Sequence, residues 1–229
     1  MKYSFIVVII LTVSLFSVKA QNIPINSIEN FRFKRLTEGL YTNQNLKLSD
    51  IKGTPYLTED FVPGKLSTTD GLINENIPLR YNAYSDDLEF KKGNEIYIVD
   101  PKSIVKKAEF GGTVFGYSSY LYGGKILTGF FKILAEGKAR LMARYVIVFL
   151  DKEEQKAYAE PKPARFDEAR KEYYISIDED PAKLFTSKKG LLDLLGDKKK
   201  EVENYFSKNK LTAKGEEQYI KIVSYYNSL

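Results

Sequence analysis

The sequence predicts an α+β fold: an antiparallel β-sheet (meander, sandwich or barrel-like) followed by a small C-terminal helical subdomain. Three observations lead there. Apolar and polar residues alternate with a period of two from about residue 64 to 178. Turn residues recur about every ten positions through that span, the rhythm of hairpin-connected strands. After Asp180-Pro181 the apolar period lengthens to that of a helix. No segment between the strands has the length a helical crossover in a parallel sheet would need.

The chain opens with a segment that reads as a secretory signal peptide, residues 1–20. Lys2 supplies the basic start, Phe5 to Phe16 a nearly unbroken apolar run, and Val18-Lys19-Ala20 a small-x-small cleavage site. The alternative is an uncleaved membrane anchor, but the run is shorter than a spanning helix requires, and no transmembrane span is expected after cleavage. Residues 21–35 are polar and are expected as a loosely ordered lead-in to a β domain over 21–180. Residues 36–66 mix short apolar pieces with turn signals at Asp50 to Gly53 and Pro63-Gly64.

The strands then follow in order. Leu79, Tyr81 and Ala83 alternate with Arg80, Asn82 and Tyr84, and Ser85-Asp86-Asp87 turns the chain. Glu95 to Val99 is a short β-rich run. Thr113 to Tyr122 is aromatic and bounded by Gly111-Gly112 and Gly123-Gly124, pairs that fit two-residue hairpin turns. Ile126 to Leu134 alternates up to a turn at Glu136-Gly137. Arg140 to Leu150 is expected as one long strand, and Glu172 to Ile177 as the last. In the helical subdomain, 181–229, Ser187, Asp197 and Thr212 are expected to cap three short helices. Val202, Tyr205 and Phe206 share a face of the second; Tyr219, Ile222, Val223 and Tyr226 form the stripe of the third. Helices this short need tertiary support, so their stripes are expected to lie on one another or on the sheet.

Composition narrows the chemistry. Among 229 residues there is no His, no Cys and no Trp. Zinc sites of the common kind, Ser-His-Asp and Cys-His machinery, disulfides and lipid modification at cysteine are therefore excluded. Loss of Lys2 and Lys19 with the signal segment lowers the formal charge from +5 to +3, an excess that resides in 181–229. So small an excess on an exported chain argues against a nucleic-acid partner. An exported chain without cysteine leans towards a bacterial envelope.

The densest set of polar groups is Arg80, Tyr84, Asp86 and Asp87. Arg80 is a candidate for an anion and the two carboxylates for a cation, although the loop expected of a calcium site is absent. Alternatively, Ser85-Asp86-Asp87 is a hairpin turn and Arg80 pairs with an acid across the sheet. The aromatic strands supply Phe115, Tyr117, Phe130 and Phe131. Tyr117 and Phe130 head a candidate lining for a lipid-like ligand, the alternative being an aromatic core. No cofactor and no metal site is predicted, and no catalytic residue.

Several stretches resemble a family of β-rich exported Bacteroidota proteins to which no function is assigned. They are Gly53-Thr54-Pro55-Tyr56-Leu57, Phe61-Val62-Pro63-Gly64, the run from Leu79 to Phe90, Lys162-Pro163-Ala164-Arg165-Phe166 and the ending Tyr225-Tyr226-Asn227-Ser228-Leu229. The resemblance implies a Gram-negative periplasm or outer surface and carries no activity with it. Three functions are weighed. The first is a non-enzymatic envelope protein that binds or scaffolds another envelope protein. The second is a periplasmic carrier of a hydrophobic small molecule. The third is a carboxylate-dependent enzyme, for which Glu89, Glu95 and Glu109 are among many candidate acids.

Overall fold

The computed structural model describes residues 48–100, 102–153, 162–212 and 215–229, together with the backbone of 32–35. The expected signal segment, residues 1–20, lies outside the described residues. The strands are β1 (Arg32–Arg35), β2 (Val62–Thr68), β3 (Ile73–Asn82), β4 (Asp87–Lys92), β5 (Glu95–Asp100), β6 (Val105–Phe110), β7 (Thr113–Tyr122), β8 (Lys125–Ala135), β9 (Ala139–Val146), β10 (Phe149–Leu150), β11 (Arg165–Phe166), β12 (Arg170–Ile177) and β13 (Ala182–Phe185). The helices are α1 (Lys188–Leu194), α2 (Lys199–Lys208) and α3 (Glu216–Asn227). The architecture is α+β, as the alternation and the change of period imply.

The main sheet has eleven strands in the order β1-β5-β4-β3-β2-β6-β7-β13-β12-β9-β8. A further pairing of β7 with β8 closes its last five strands into a small ring. One edge of β7 pairs with β8 along its length; the other pairs with β6 at Thr113–Phe115 and with β13 at Tyr120 and Leu121. That β13 pairing is parallel. The glycine pairs do what their type allows. Gly111, Gly112, Gly123 and Gly124 all have positive φ, the requirement of the turn that matches strand twist in a two-residue hairpin.

Strand alternation divides the molecule into three cores. Inside the ring, Tyr120, Phe131, Met142, Tyr174 and Ala182 pack together. The opposite face of β7 and β8 turns Phe115 and Phe130 towards Tyr81, Leu79, Leu88 and Phe90 of the sheet's other half. The outer face of β9 and β12, with Leu141 and Ile175, is covered by helical Leu191, Leu195, Val202, Phe206, Ile222 and Val223. Each of the buried Leu, Ile, Val, Phe and Met side chains contributes about 1.5–3 kcal/mol by leaving water. The expected stripe of α3 is buried throughout, and Tyr205 stacks on Tyr225 at 4.0 Å between centroids.

Four local expectations are corrected. Arg32–Arg35 of the lead-in is an edge strand on β5. The long strand expected from Arg140 to Leu150 breaks after Val146, and Phe149–Leu150 forms a separate ribbon with Arg165–Phe166. Residues 182–185, assigned to the helical part, are the strand that closes the ring. Of the three caps, Ser187 accepts from the Gly190 N–H as expected. Asp197 instead binds Lys138 Nζ at 2.6 Å and the Tyr226 hydroxyl at 2.8 Å. Thr212 precedes a helix whose N-cap is Gly215.

Candidate functional site

The turn between β3 and β4 is built by local hydrogen bonds. The Asn82 side chain accepts from the Tyr84 and Ser85 N–H groups, and Asp86 takes a left-handed conformation, φ 55°. Asn and Asp do this readily because their short polar side chains bond to the nearby backbone. The result sends the two acids in different directions. Asp87 pairs with Lys102 at 2.9 Å, and Lys102 also donates to the Asp86 carbonyl. Asp86 points the other way, into the gap that opens where β8 and β9 part.

That gap is the central feature of the region. The β8–β9 ladder stops at Lys132 and Ala143, and the Ile147 N–H goes to the Ala83 carbonyl. The Phe130 N–H, left without a strand, donates to the Asp86 carboxylate at 3.1 Å. The Tyr81 hydroxyl donates to the same carboxylate at 2.7 Å. Burial pushes the Asp86 carboxyl up from its ordinary range, against the pull of Tyr81, Arg144, the Phe130 N–H and Lys102. Burial, reinforced by the Asp86 charge and hydrogen bond, raises the Tyr81 phenol well above its usual value.

Arg80 sits on the other face of β3. It donates to Glu89 from Nη2 at 2.6 Å and from Nε at 3.1 Å, and to the Glu59 carbonyl from Nη1. Its guanidinium lies 3.6 Å from the Tyr56 ring centre and 4.2 Å from that of Phe61. Glu89 is 0% exposed and also accepts from Asn82. Arg80 is thus committed to a buried pair, the cross-sheet alternative weighed from sequence.

The aromatic candidates are core members. Phe130 lies between Tyr81 and Tyr117, and Tyr117 donates its hydroxyl to Thr128 at 2.8 Å. Tyr84 packs edge-on against Phe166. The structure therefore gathers Asp86 and Phe130 about Tyr81, with Tyr117 against Phe130, places Asp87 and Tyr84 on the flanks, and separates Arg80 on the opposite face. No group of three or more acids that could hold a metal ion occurs among the described residues. No helix among them is long and apolar enough to cross a membrane.

Two features escaped the sequence reading. Arg140 and Arg144 lie on the inward face of β9 with Met142, and Arg144 stands over the Tyr120 ring at 5.0 Å. The signal was Arg140-Leu141-Met142-Ala143-Arg144, where both faces of a strand need apolar neighbours. The second is the β7–β8 hairpin tip. Ile126 is 65% exposed and Tyr122 57%, with Leu121, Leu127 and Leu184 exposed beside them. Leu121 pairs with Ile126 on one face, while Tyr122 and Leu127 occupy the other. Apolar residues on both faces of Lys125-Ile126-Leu127-Thr128, next to a Gly-Gly turn, were the legible sign. Comparison with protein-family models, curated proteins and solved structures gave no match for this chain.

Proposed function

We propose that this is an exported cell-envelope protein that binds or scaffolds another protein, without an enzymatic role, and that the β7–β8 hairpin tip is the binding surface. One observation carries the reading: a hairpin tip with exposed apolar side chains on both faces. Clustered apolar exposure of this kind marks interaction sites on soluble proteins. The candidate polar residues support it indirectly. Asp86, Asp87 and Arg80 are each engaged with partners inside the protein, and Phe115, Phe130 and Phe131 pack ring against ring. The resemblance to exported Bacteroidota proteins and the signal-like start agree with a periplasmic or outer-surface destination.

The test is a photo-crosslinking amino acid at Tyr122, expressed in the native envelope and activated in living cells. The expected result is a discrete protein adduct identified by mass spectrometry. Absence of any protein adduct overturns the reading. A lipid adduct in its place would favour the carrier function.

A further inference from the structure

The ring holds a cation that nothing inside the protein neutralises by contact. Arg144 lies on the inward face of β9, half-buried, with its guanidinium 5.0 Å from the centre of the Tyr120 ring. Its Nε is buried and has no hydrogen-bond partner. A buried donor without an acceptor is costly, and more so on a charged group. The two acids beside it are engaged elsewhere. Glu172, directly opposite on β12, accepts the Tyr174 hydroxyl at 3.2 Å. Asp86 accepts the Tyr81 hydroxyl and the Phe130 N–H. Asp86 Oδ2 and Arg144 Nε stand 2.7 and 3.6 Å from one point, where a Cβ on Gly129 would lie, and still do not bond to each other. The space around Arg144 grades from filled to open. On its inner side Phe131, Met142 and Tyr174 fill the ring. Towards the hairpin tip, strand alternation puts Leu127 and Lys125 of β8, Tyr122 of β7 and Leu184 of β13 on the same inward face. Tyr122 is 57% exposed, and Leu127 and Leu184 are 40% exposed.

We propose that this mouth of the ring binds a carboxylate carried on an apolar body, with Arg144 as the anchor and Tyr122, Leu127 and Leu184 as the rest for the apolar part. The proposal rests on the hairpin tip being the binding surface and names what that surface takes. A guanidinium is suited to the task because its flat fork meets a carboxylate through two parallel hydrogen bonds. The Tyr120 ring edge reaches the same space, with Cε1 3.4 Å from the Cβ position of Gly129. Burial raises the Tyr120 phenol, so its hydroxyl stays a donor at neutral pH. Lys125 adds a second positive charge at the tip. A doubly charged phosphate suits the mouth less, because Asp86 and Glu172 stand beside it. The filled ring keeps the ligand shallow, which leaves its apolar part on the exposed rim.

Two sources offer this chemistry. One is the C-terminus of a protein whose last side chain is apolar. The other is a fatty acid. Both present one carboxylate with an apolar group attached, and the test separates them.

The probes are a short fluorescein-labelled peptide ending in leucine, followed by anisotropy, and octanoate, followed by calorimetry. Each is compared with its amide. At least one carboxylate should bind, and its amide should bind more weakly by about tenfold or more. Arg144→Met should weaken the carboxylate by a similar factor. It should leave the thermal midpoint unchanged or raise it, since it removes a charge with no internal partner. Leu127→Glu, at an exposed position, should also weaken binding while the fold is kept. The acid–amide comparison uses the unaltered protein and depends on no variant. Failure of both carboxylates to bind overturns the proposal, as does equal binding of acid and amide. A marked fall in the Arg144→Met midpoint overturns it too, because Arg144 would then be held from within. Binding of the peptide alone assigns the source to a chain terminus, and of octanoate alone to a fatty acid; the site stands in either case. If the Tyr122 crosslink captures a protein while neither carboxylate binds, the binding surface stands and the carboxylate site does not. If octanoate binds and the crosslink yields only lipid, the site stands and the protein-binding reading does not. If the crosslink captures nothing and neither carboxylate binds, both fail.

Discussion

The Asp86 carboxylate accepts the Phe130 backbone N–H at 3.1 Å, across 44 positions of sequence, where a neighbouring strand would ordinarily stand. The same group receives the Tyr81 hydroxyl, so one side chain satisfies two buried donors. Asp86→Ala leaves both without a partner and should lower stability by about 2–4 kcal/mol. Asp86→Asn keeps an acceptor and should lose about 1 kcal/mol. Urea unfolding of the three proteins at neutral pH checks the order.

The same carboxyl has a signature in pH. Burial raises it above its ordinary range, so the folded protein holds this proton more tightly than the unfolded chain does. Its contribution is fully present below the ordinary Asp range and is lost as pH rises through the raised value. The charged and titratable groups facing it are Tyr81, Tyr120, Arg144 and Lys102. Asp86→Asn, neutral throughout, should flatten this part of the stability profile, and stability measured at closely spaced pH values from about 3 to 7 reads the difference.

Glu216 should behave in the opposite sense. Burial works against its charge, yet hydrogen bonds from Lys171 and Lys132 hold the carboxyl below its usual range. It ties the first turn of α3 to β12 at 2.7 Å and to β8 at 3.1 Å. Its stabilisation is present above the ordinary Glu range and is lost as pH falls through the lowered value. Glu216→Gln should lose about 0.5–1 kcal/mol at pH 7 and nothing at strongly acidic pH, since the pair is partly exposed.

Glu89 and Arg80 form the pair most sensitive to single substitution. Glu89→Gln leaves a largely buried guanidinium without its countercharge and should lose about 3–5 kcal/mol. Arg80→Lys should approach that loss, because an ammonium cannot make the two-pronged contact or lie flat between Tyr56 and Phe61. Thermal unfolding of the two variants and the double mutant measures the coupling.

Asn227 holds the end of α3 to the β8–β9 turn. Its amide oxygen accepts from the Ala139 N–H and its nitrogen donates to the Ala139 carbonyl, both at 2.8 Å, which imitates a strand pairing. Gly137 makes room for it, since a Cβ there would lie 2.5 Å from the Asn227 amide. Asn227→Ala should lose about 2–3 kcal/mol. Gly137→Ala should be similarly harmful alone, but the two losses should fall short of adding, because the first change removes the obstacle that the second meets.

Much of this was legible in the residues. The limits of β7 follow from its two glycine pairs, because few other residues tolerate positive φ twice in succession. The α3 stripe follows from Tyr219, Ile222, Val223 and Tyr226, whose spacing admits one buried face. Other features depend on tertiary context. Arg144 reads as an outward residue until the ring places it over Tyr120. Ala182–Phe185 is too short, and too close to Pro181, to announce a strand. Asp197 has the identity of a helix cap, and Lys138 and Tyr226 claim it from elsewhere in the chain. In the candidate site, the Asp86-Asp87 turn was visible, whereas its link to Phe130 required knowing where β8 and β9 separate.

The parallel seam between β7 and β13 has a kinetic meaning. Tyr120 and Ala182, which meet there, are separated by roughly sixty residues, whereas the hairpins of the ring join near neighbours, and distant closures are slow to form. The hairpins can assemble as the chain lengthens, but the ring stays open along one side until Phe185 has arrived. During that interval two raw edges face solvent, next to Tyr120 and Tyr174, and the interval is the stage at which this protein is most exposed to mispairing.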